Sequence, residues 1–594
     1  MASQRLYQLS NRLGRKIVSS DAKMSAQPTS GGGASYKVLE QPIGVARHIR
    51  VVAIGAGASG INMIRTMRKR LNNFDLTVYE KNQMVGGTWF ENRYPGCKCD
   101  IPSHNYQFSW SPNPEWRGFF STSEEIEAYL CACCEKEKLY GAIKTSHQVV
   151  GARWVEDTGI WDIKVRNLAD GTDFDDWCHF LLDCSGILNN WKWPDIPGLH
   201  DFHGKLVHSA DWPKDFDYEG KVVAVIGNGS SGIQIVPAMQ PKVKKLLHFA
   251  RSPTWLAPPQ LQMLANTQAK SVMEKIEFDD EGNFTHAQKA RFKSDPALYK
   301  SFVKTIERET NGNFLGFTLT DSPSQGAVRA GLSQWMETKL ANKPELKTPL
   351  IPDFPVGCRR ITPGVGYLEA LQAPNVHVFT GRVAKVVSNG IMTASGEILP
   401  VDAIVCATGF DVSFCPRFPI VGRKGNLQDI WSKELPRAYM SIAIPGLPNF
   451  FTFLGPNAPV GHGSLVTITE HIAKHVCSIV AKCQKQGIKG VSPSERAVAQ
   501  LYEHIDVFMP RTTWAGSCSS WFKGGVVDGP VTALHPGSRL HFFDMLDEFR
   551  GEDWEYTYWE PHGNRFHYLG DGTSQKEFDG SDTTWYLDEE WPLD

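Results

Sequence analysis

The chain has 594 residues, with 62 Lys and Arg against 64 Asp and Glu, a formal net charge of -2 and a pI near 6.8. One core cannot grow to that length, so at least two domains are expected, and a near-neutral balance without any Lys/Arg-rich run leaves no electrostatic footprint for nucleic acid. No apolar run approaches the ~20 residues of a membrane-spanning helix, and 13 scattered cysteines without a secretory signal suit a reducing, cytoplasmic compartment better than a disulfide framework.

In chain order, residues 1–45 read as a disordered extension ending in TSGGGAS; Arg5, Arg12, Arg15 and Lys16, with no acid among the first 20 residues, give it some likeness to a mitochondrial presequence. HIRVVAIGAGASGINMIRTMRKRL then predicts a buried strand, a turn at Gly55, Gly57 and Gly60, and a helix with Ser59 in its first turn. Such glycines let the chain turn sharply, approach a pyrophosphate and pack helix on strand. The next strand, DLTVYEKN, ends at Glu80, placed to accept hydrogen bonds from ribose hydroxyls. EEIEAYLCACCEKEKL, with Cys131, Cys133 and Cys134, has helical composition, and its cysteines read as structural thiols because no second ligand pair accompanies them.

The strand DWCHFLLDCSG and the proline-punctuated WKWPDIPGL close a first unit at about residue 195. After FHGKLVHSADWP comes KVVAVIGNGSSGIQIVPAM, a second turn with Gly227, Gly229 and Gly232, in which Ser230 and Ser231 open the helix. Its following strand ends on Arg251 and Ser252 where the first unit has an acid. A guanidinium there can pair with a 2′-phosphate that a carboxylate would repel. The two turns therefore predict FAD held by the first unit and NADPH visiting the second. The fold class expected is α/β, with two Rossmann-like dinucleotide-binding domains: FAD-binding over 46–195 and 396–594, NADP-binding over 196–395. A helical insertion at about 260–345 would cover the substrate pocket, and LPVDAIVCATGFD would lead the chain back to the flavin domain.

A disulfide reductase of this plan needs a CxxC pair beside the flavin, and Cys97 and Cys99 are separated by only one residue. FHGKLVHSADWP matches FxGxxxHxxxWP at Phe202, Gly204, His208, Trp212 and Pro213, and with it the chain resembles the Baeyer–Villiger monooxygenases, most closely fungal members acting on secondary metabolites. The resemblance implies NADPH-driven reduction of FAD, a C4a-peroxyflavin, and insertion of one atom of O2 beside a ketone carbonyl. In GGTWFENRYPGCKCD and just beyond, it implies flavin contacts for Gly87, Thr88, Trp89, Lys98, Asp100, Ile101 and Tyr106. In FPVGCRRITPG it makes Arg359 a contact to NADP phosphate and Arg360 the catalytic cation, tuned by Asp100; Arg359 departs from the family's usual lysine. NFFTFLGPNAPVGHGS, from Asn449, would lie near the flavin ring. His208 reads as a hydrogen-bonded linker residue rather than a proton carrier. An N- or S-oxygenating enzyme and a non-oxygenating reductase remain as alternatives, and neither the substrate nor the oligomeric state is legible.

Overall fold

The computed structural model describes residues 36–258, 272–279, 282–312, 314–461 and 463–588. Two five-stranded parallel sheets organise them. The first runs Phe450–Thr452, Phe180–Asp183, Ile49–Ile54, Phe74–Tyr79, Ile143–Lys144. The second runs Val376–Phe379, Lys245–Phe249, Val222–Ile226, Ala403–Cys406, Lys205–His208. Their central strands, IRVVAI and VVAVI, are buried almost throughout, as expected of parallel strands covered on both faces.

One face of the first sheet packs against helices Ala58–Arg70 and Leu465–Lys485. The other meets a mixed sheet ordered Gly425–Asn426, Ile420–Gly422, His147–Val155, Ile160–Asn167, Asp173–Cys178. In IWDIKVRN the residues alternate buried and exposed, so Trp161, Ile163 and Val165 face this shared core while Asp162 and Lys164 face solvent. Cys133 and Cys134 lie in the first core, on the helix Ser123–Lys136, in agreement with a structural role.

The insertion is helical where it is described: His286–Ser294, Pro296–Gly312, Phe314–Thr318 and Ser324–Lys339. Phe284, Phe292, Tyr299 and Phe302 surround His104 edge-on, fastening the insertion to the segment after the first turn. Leu332 and Met336 of its last long helix enter the core of the second sheet.

Two expected boundaries are corrected. Ala403–Cys406 pairs with Val222–Ile226 and Lys205–His208, so the chain is still in the second sheet past residue 396; it rejoins the mixed sheet at Ile420 and the first sheet at Phe450. The apolar run AIVC predicts a buried strand, but nothing local selects its sheet. Residues 36–45 are also tied down: Ile43 N donates to Thr573 O and Tyr36 packs edge-on against His567. The presequence-like stretch lies outside the described residues. Among the described residues no helix is long and apolar enough to cross a membrane.

Candidate active site

Each glycine turn forms a cradle at the start of a helix that carries no acid in its first turn, leaving backbone N–H groups for an anion. In the first, Gly55 has φ +98°, and a Cβ on Gly60 would stand 2.0 Å from Gly55 O. Gly57 faces Gly87, where a Cβ would come 3.0 Å from the Gly57 Cα. Two facing side-chain-free residues let the two backbone segments approach closely beside the turn, and Ser59 is buried. Glu80 is 3% exposed; its Oε2 accepts from Ala56 N (2.7 Å) and its Oε1 from Asn82 N (2.8 Å). Burial pushes its pKa up, opposed by those two donors. Each oxygen keeps a lone pair for a ribose hydroxyl, so the residues fit an adenosine with a free ribose.

The second cradle repeats the geometry. Gly227 has φ +106°, a Cβ on Gly232 would stand 2.0 Å from Gly227 O, and at Gly229 nothing lies within 4 Å. Ser230 Oγ lies 3.2 Å from Thr362 Oγ1, Ser231 lies against the Tyr94 hydroxyl, and Asn228 ties the turn to the Ser252 carbonyl (2.7 Å). Arg251 is exposed beside this turn. Arg359, anchored on Pro253 O (3.0 Å), has its pKa lowered by burial and then by the charge of Arg251. Two cations that repel each other at a nucleotide cradle fit a bound phosphate, which would relieve both.

Between the cradles Arg360 donates twice to Asp100, from Nε to Oδ2 (2.5 Å) and from Nη2 to Oδ1 (2.7 Å). Its Nη1 donates to Val460 O (3.3 Å), within the segment expected near the flavin ring. Asp100 is the chief cause of a raised Arg360 pKa, so this cation is permanent. Trp89 Nε1 donates to the Tyr106 hydroxyl (3.2 Å), with the rings edge-on at 5.4 Å. Ile101 N donates to Cys99 Sγ (3.4 Å). Thr88 and Lys98 are exposed; Lys98 is held by its backbone, its carbonyl accepting from Gln234 Nε2 (2.9 Å). Gln234 Oε1 also accepts from the Tyr94 hydroxyl (2.9 Å), and a Cβ on Gly96 would stand 2.7 Å from Gln234 O. The loop bearing Asp100 is thereby seated on the helix of the second cradle.

His208 stacks on Trp191 (4.5 Å), meets Trp193 edge-on and lies 3.3 Å from Thr408 Oγ1. Its Nδ1 accepts from Ala210 N (3.1 Å), and burial depresses its pKa to about 4. That geometry agrees with a linker residue neutral at physiological pH.

A family model described as an NAD(P)-binding Rossmann-like domain matches residues 54–122. An FAD-binding monooxygenase of Aspergillus terreus, tazF, is 38% identical over 91% of this chain and 95% of its own. A Baeyer–Villiger monooxygenase of Pseudomonas aeruginosa is 32% identical over 89% of this chain and 96% of its own. The chain belongs to the Baeyer–Villiger FAD-binding monooxygenases.

Among solved structures, an oxidised steroid monooxygenase bound to NADP superposes on this monooxygenase with a TM-score of 0.68 at 27% identity, covering 86% of this chain and 99% of the other. Cyclohexanone monooxygenase from Rhodococcus sp. Phi1 bound to NADP+ gives 0.71 at 24% identity, with 86% and 99% covered, and shares the fold.

One feature of the monooxygenase escaped sequence reasoning altogether. Cys358, immediately before the arginine pair, is disulfide-bonded to Cys518, 160 residues away, and both are buried. One bridge is not a disulfide framework, and the other eleven cysteines are free. The bond fastens the Arg359–Arg360 segment to the loop that follows helix Glu495–Phe508, where Lys523 Nζ also donates to the carbonyls of Gly516 and Val527. Neither cysteine has a local pattern that could have paired it.

Proposed function

We propose that this monooxygenase uses NADPH and O2 to insert one oxygen atom beside the carbonyl of a secondary-metabolite ketone, giving an ester or lactone. FAD bound at the first cradle supplies the redox chemistry and activates oxygen. Gly55, Gly57, Ser59, Gly60 and Glu80 hold its adenosine diphosphate end, while Gly87, Thr88, Trp89, Lys98, Ile101 and Tyr106 shape its path toward Arg360. Gly227, Gly229, Ser230, Ser231 and Gly232 seat the NADPH pyrophosphate, with Arg251, Ser252 and Arg359 around the 2′-phosphate. The flavin-binding unit comprises the first sheet and the mixed sheet, the NADP-binding unit the second sheet, and the insertion roofs the substrate pocket. Nine buried free thiols against the single Cys358–Cys518 bridge support a reducing, cytoplasmic setting.

The observation that carries this reading is the Arg360–Asp100 fork between the two cradles. Asp100 fixes the guanidinium plane, and Arg360 offers a charge that cannot titrate to the negative charge developing on the substrate oxygen. Such a charge need not reorganise during reaction, which is why removing one fixed stabiliser costs about 10²–10³ in rate. The test is product analysis with NADPH, O2 and a panel of cyclic and linear ketones plus an aryl sulfide. Wild type should give ester or lactone, and Arg360→Ala should still consume NADPH without forming it. Lactone from the Arg360→Ala variant would sink the assignment. Sulfoxide formed with no ketone converted would move the reading to a heteroatom oxygenase.

A further inference from the structure

Arg539, at the start of the helix Arg539–Asp547, is 0% exposed, and the proposed chemistry gives it no task. Its Nε donates to Asn311 Oδ1 (2.8 Å) and its Nη2 pairs with Glu307 Oε1, both partners standing on the insertion helix Pro296–Gly312. Glu307 Oε2 accepts in turn from Asn105 Nδ2 (2.6 Å), the neighbour of Tyr106. The guanidinium lies over Gly463: a Cβ there would meet Nη1 at 2.3 Å, Cζ at 2.4 Å and Nε at 2.7 Å. Only glycine leaves room for this contact. Three residues earlier, Val460 O receives Arg360. Two guanidiniums thus hold the same loop, one from the proposed reaction centre and one from the C-terminal helix Arg539–Asp547, which grips the insertion through Glu307 and Asn311.

Stability does not account for Arg539. Its Nη1 is buried without an acceptor, at a cost of about 1–3 kcal/mol, and a buried ion pair is often replaceable by packed apolar side chains. What the pair provides is register, because a forked guanidinium with partners on one helix admits a single orientation of that helix. We propose that Arg539 is a positioning residue: through Glu307 and Gly463 it locks the insertion onto the loop that supports Arg360, and so keeps the oxygen-activating site sealed. This rests on the reading of Arg360 and the flavin site above.

The test uses the FAD-loaded full-length enzyme, with Arg539→Met and Glu307→Gln. Two quantities are measured: flavin reduction by NADPH without oxygen, and, with oxygen but no ketone, NADPH oxidation with release of hydrogen peroxide (NADPH + H⁺ + O2 → NADP⁺ + H2O2). Arg539→Met should keep its flavin content and reduction rate while peroxide release rises about tenfold, the equivalent of 1.4 kcal/mol, with Glu307→Gln changing in the same direction by less. General structural damage would instead lower flavin content and reduction rate together. Unchanged peroxide release in either folded variant overturns the proposal; if Arg539→Met does not fold, Glu307→Gln decides alone. No ketone enters these measurements, so a wild type that converts none of the panel refutes the function reading separately.

Discussion

The two nucleotide cradles share one backbone solution and differ in what surrounds it. Gly55 and Gly227 have φ of +98° and +106°, and Gly60 and Gly232 each leave 2.0 Å between a Cβ and the turn carbonyl behind it. At the end of the following strand, the first cradle has a buried carboxylate with both oxygens already accepting backbone N–H groups. The second has an exposed Arg251 and an Arg359 whose charge it opposes. The turn therefore supplies the common pyrophosphate geometry, and the strand end supplies identity. A satisfied, enclosed acid suits a nucleotide that stays, and two mutually repelling cations suit one that arrives with a phosphate and leaves with it.

The largest break in this comparison is expected from alanine at the two kinds of glycine. In Gly60→Ala the new Cβ collides with backbone at 2.0 Å, so the turn must open; overpacking of this kind costs about 1–3 kcal/mol or more, and the protein should purify without flavin and without activity. Gly229 has φ −75° and open space around it, so Gly229→Ala should fold and keep its flavin. The added methyl would stand only in the path of NADPH, and the KM for NADPH should rise. Flavin absorbance and NADPH kinetics check both, and a fully flavinylated Gly60→Ala would break the parallel.

A smaller effect sharpens the charge difference. Charge-assisted hydrogen bonds contribute about 1.5–3 kcal/mol, so Arg359→Met or Arg251→Gln should lower the kcat/KM preference for NADPH over NADH by about tenfold to a hundredfold. The same substitutions remove a repulsion from the free protein, so its Tm without nucleotide should hold or rise. An unchanged coenzyme preference would remove the second cradle's cations from phosphate recognition.

Both glycine turns, Glu80, Arg251 and the Arg360–Asp100 pair were legible in the sequence because each belongs to a short motif whose geometry is local or tied to the family fingerprint. The sheet membership of Ala403–Cys406 was not, since its partner strands begin about 180 and 200 residues earlier. Nor was the mixed sheet, whose strand Ile420–Gly422 returns to His147–Val155 across the whole second unit. Nor does Arg539 in HPGSRLHFF carry a local signal, since only the fold brings Glu307 to it from 232 positions away. Long-range pairing carries no local pattern, so those contacts emerge only in the folded chain.

The smallest expected effect concerns acid. His208 is buried between Trp191 and Trp193 with Nδ1 accepting from Ala210 N, an arrangement that only an unprotonated nitrogen allows. Burial lowers its pKa to about 4 against an ordinary 6.5, with Asp211 opposing. The unfolded chain therefore takes up this proton below about pH 6.5 while the native protein resists until about pH 4, so stability falls as pH drops through that window. His104 and His179 put a similar demand on the first unit, at about 3 and about 4, and His248 on the second, at about 4. Removing one of them should flatten the acid limb rather than abolish it. In His208→Asn the amide oxygen can still accept the Ala210 N–H, and the dependence of unfolding free energy on pH between 6.5 and 5 should fall by about 1 kcal/mol per pH unit, the worth of roughly one proton. Coenzyme turnover at neutral pH should survive, because nothing in the geometry asks His208 to move a proton. A His208→Asn enzyme with an unchanged acid limb and lost turnover would reverse both parts of that assignment, making the fingerprint histidine a participant in chemistry rather than a joint between the second sheet and the linker.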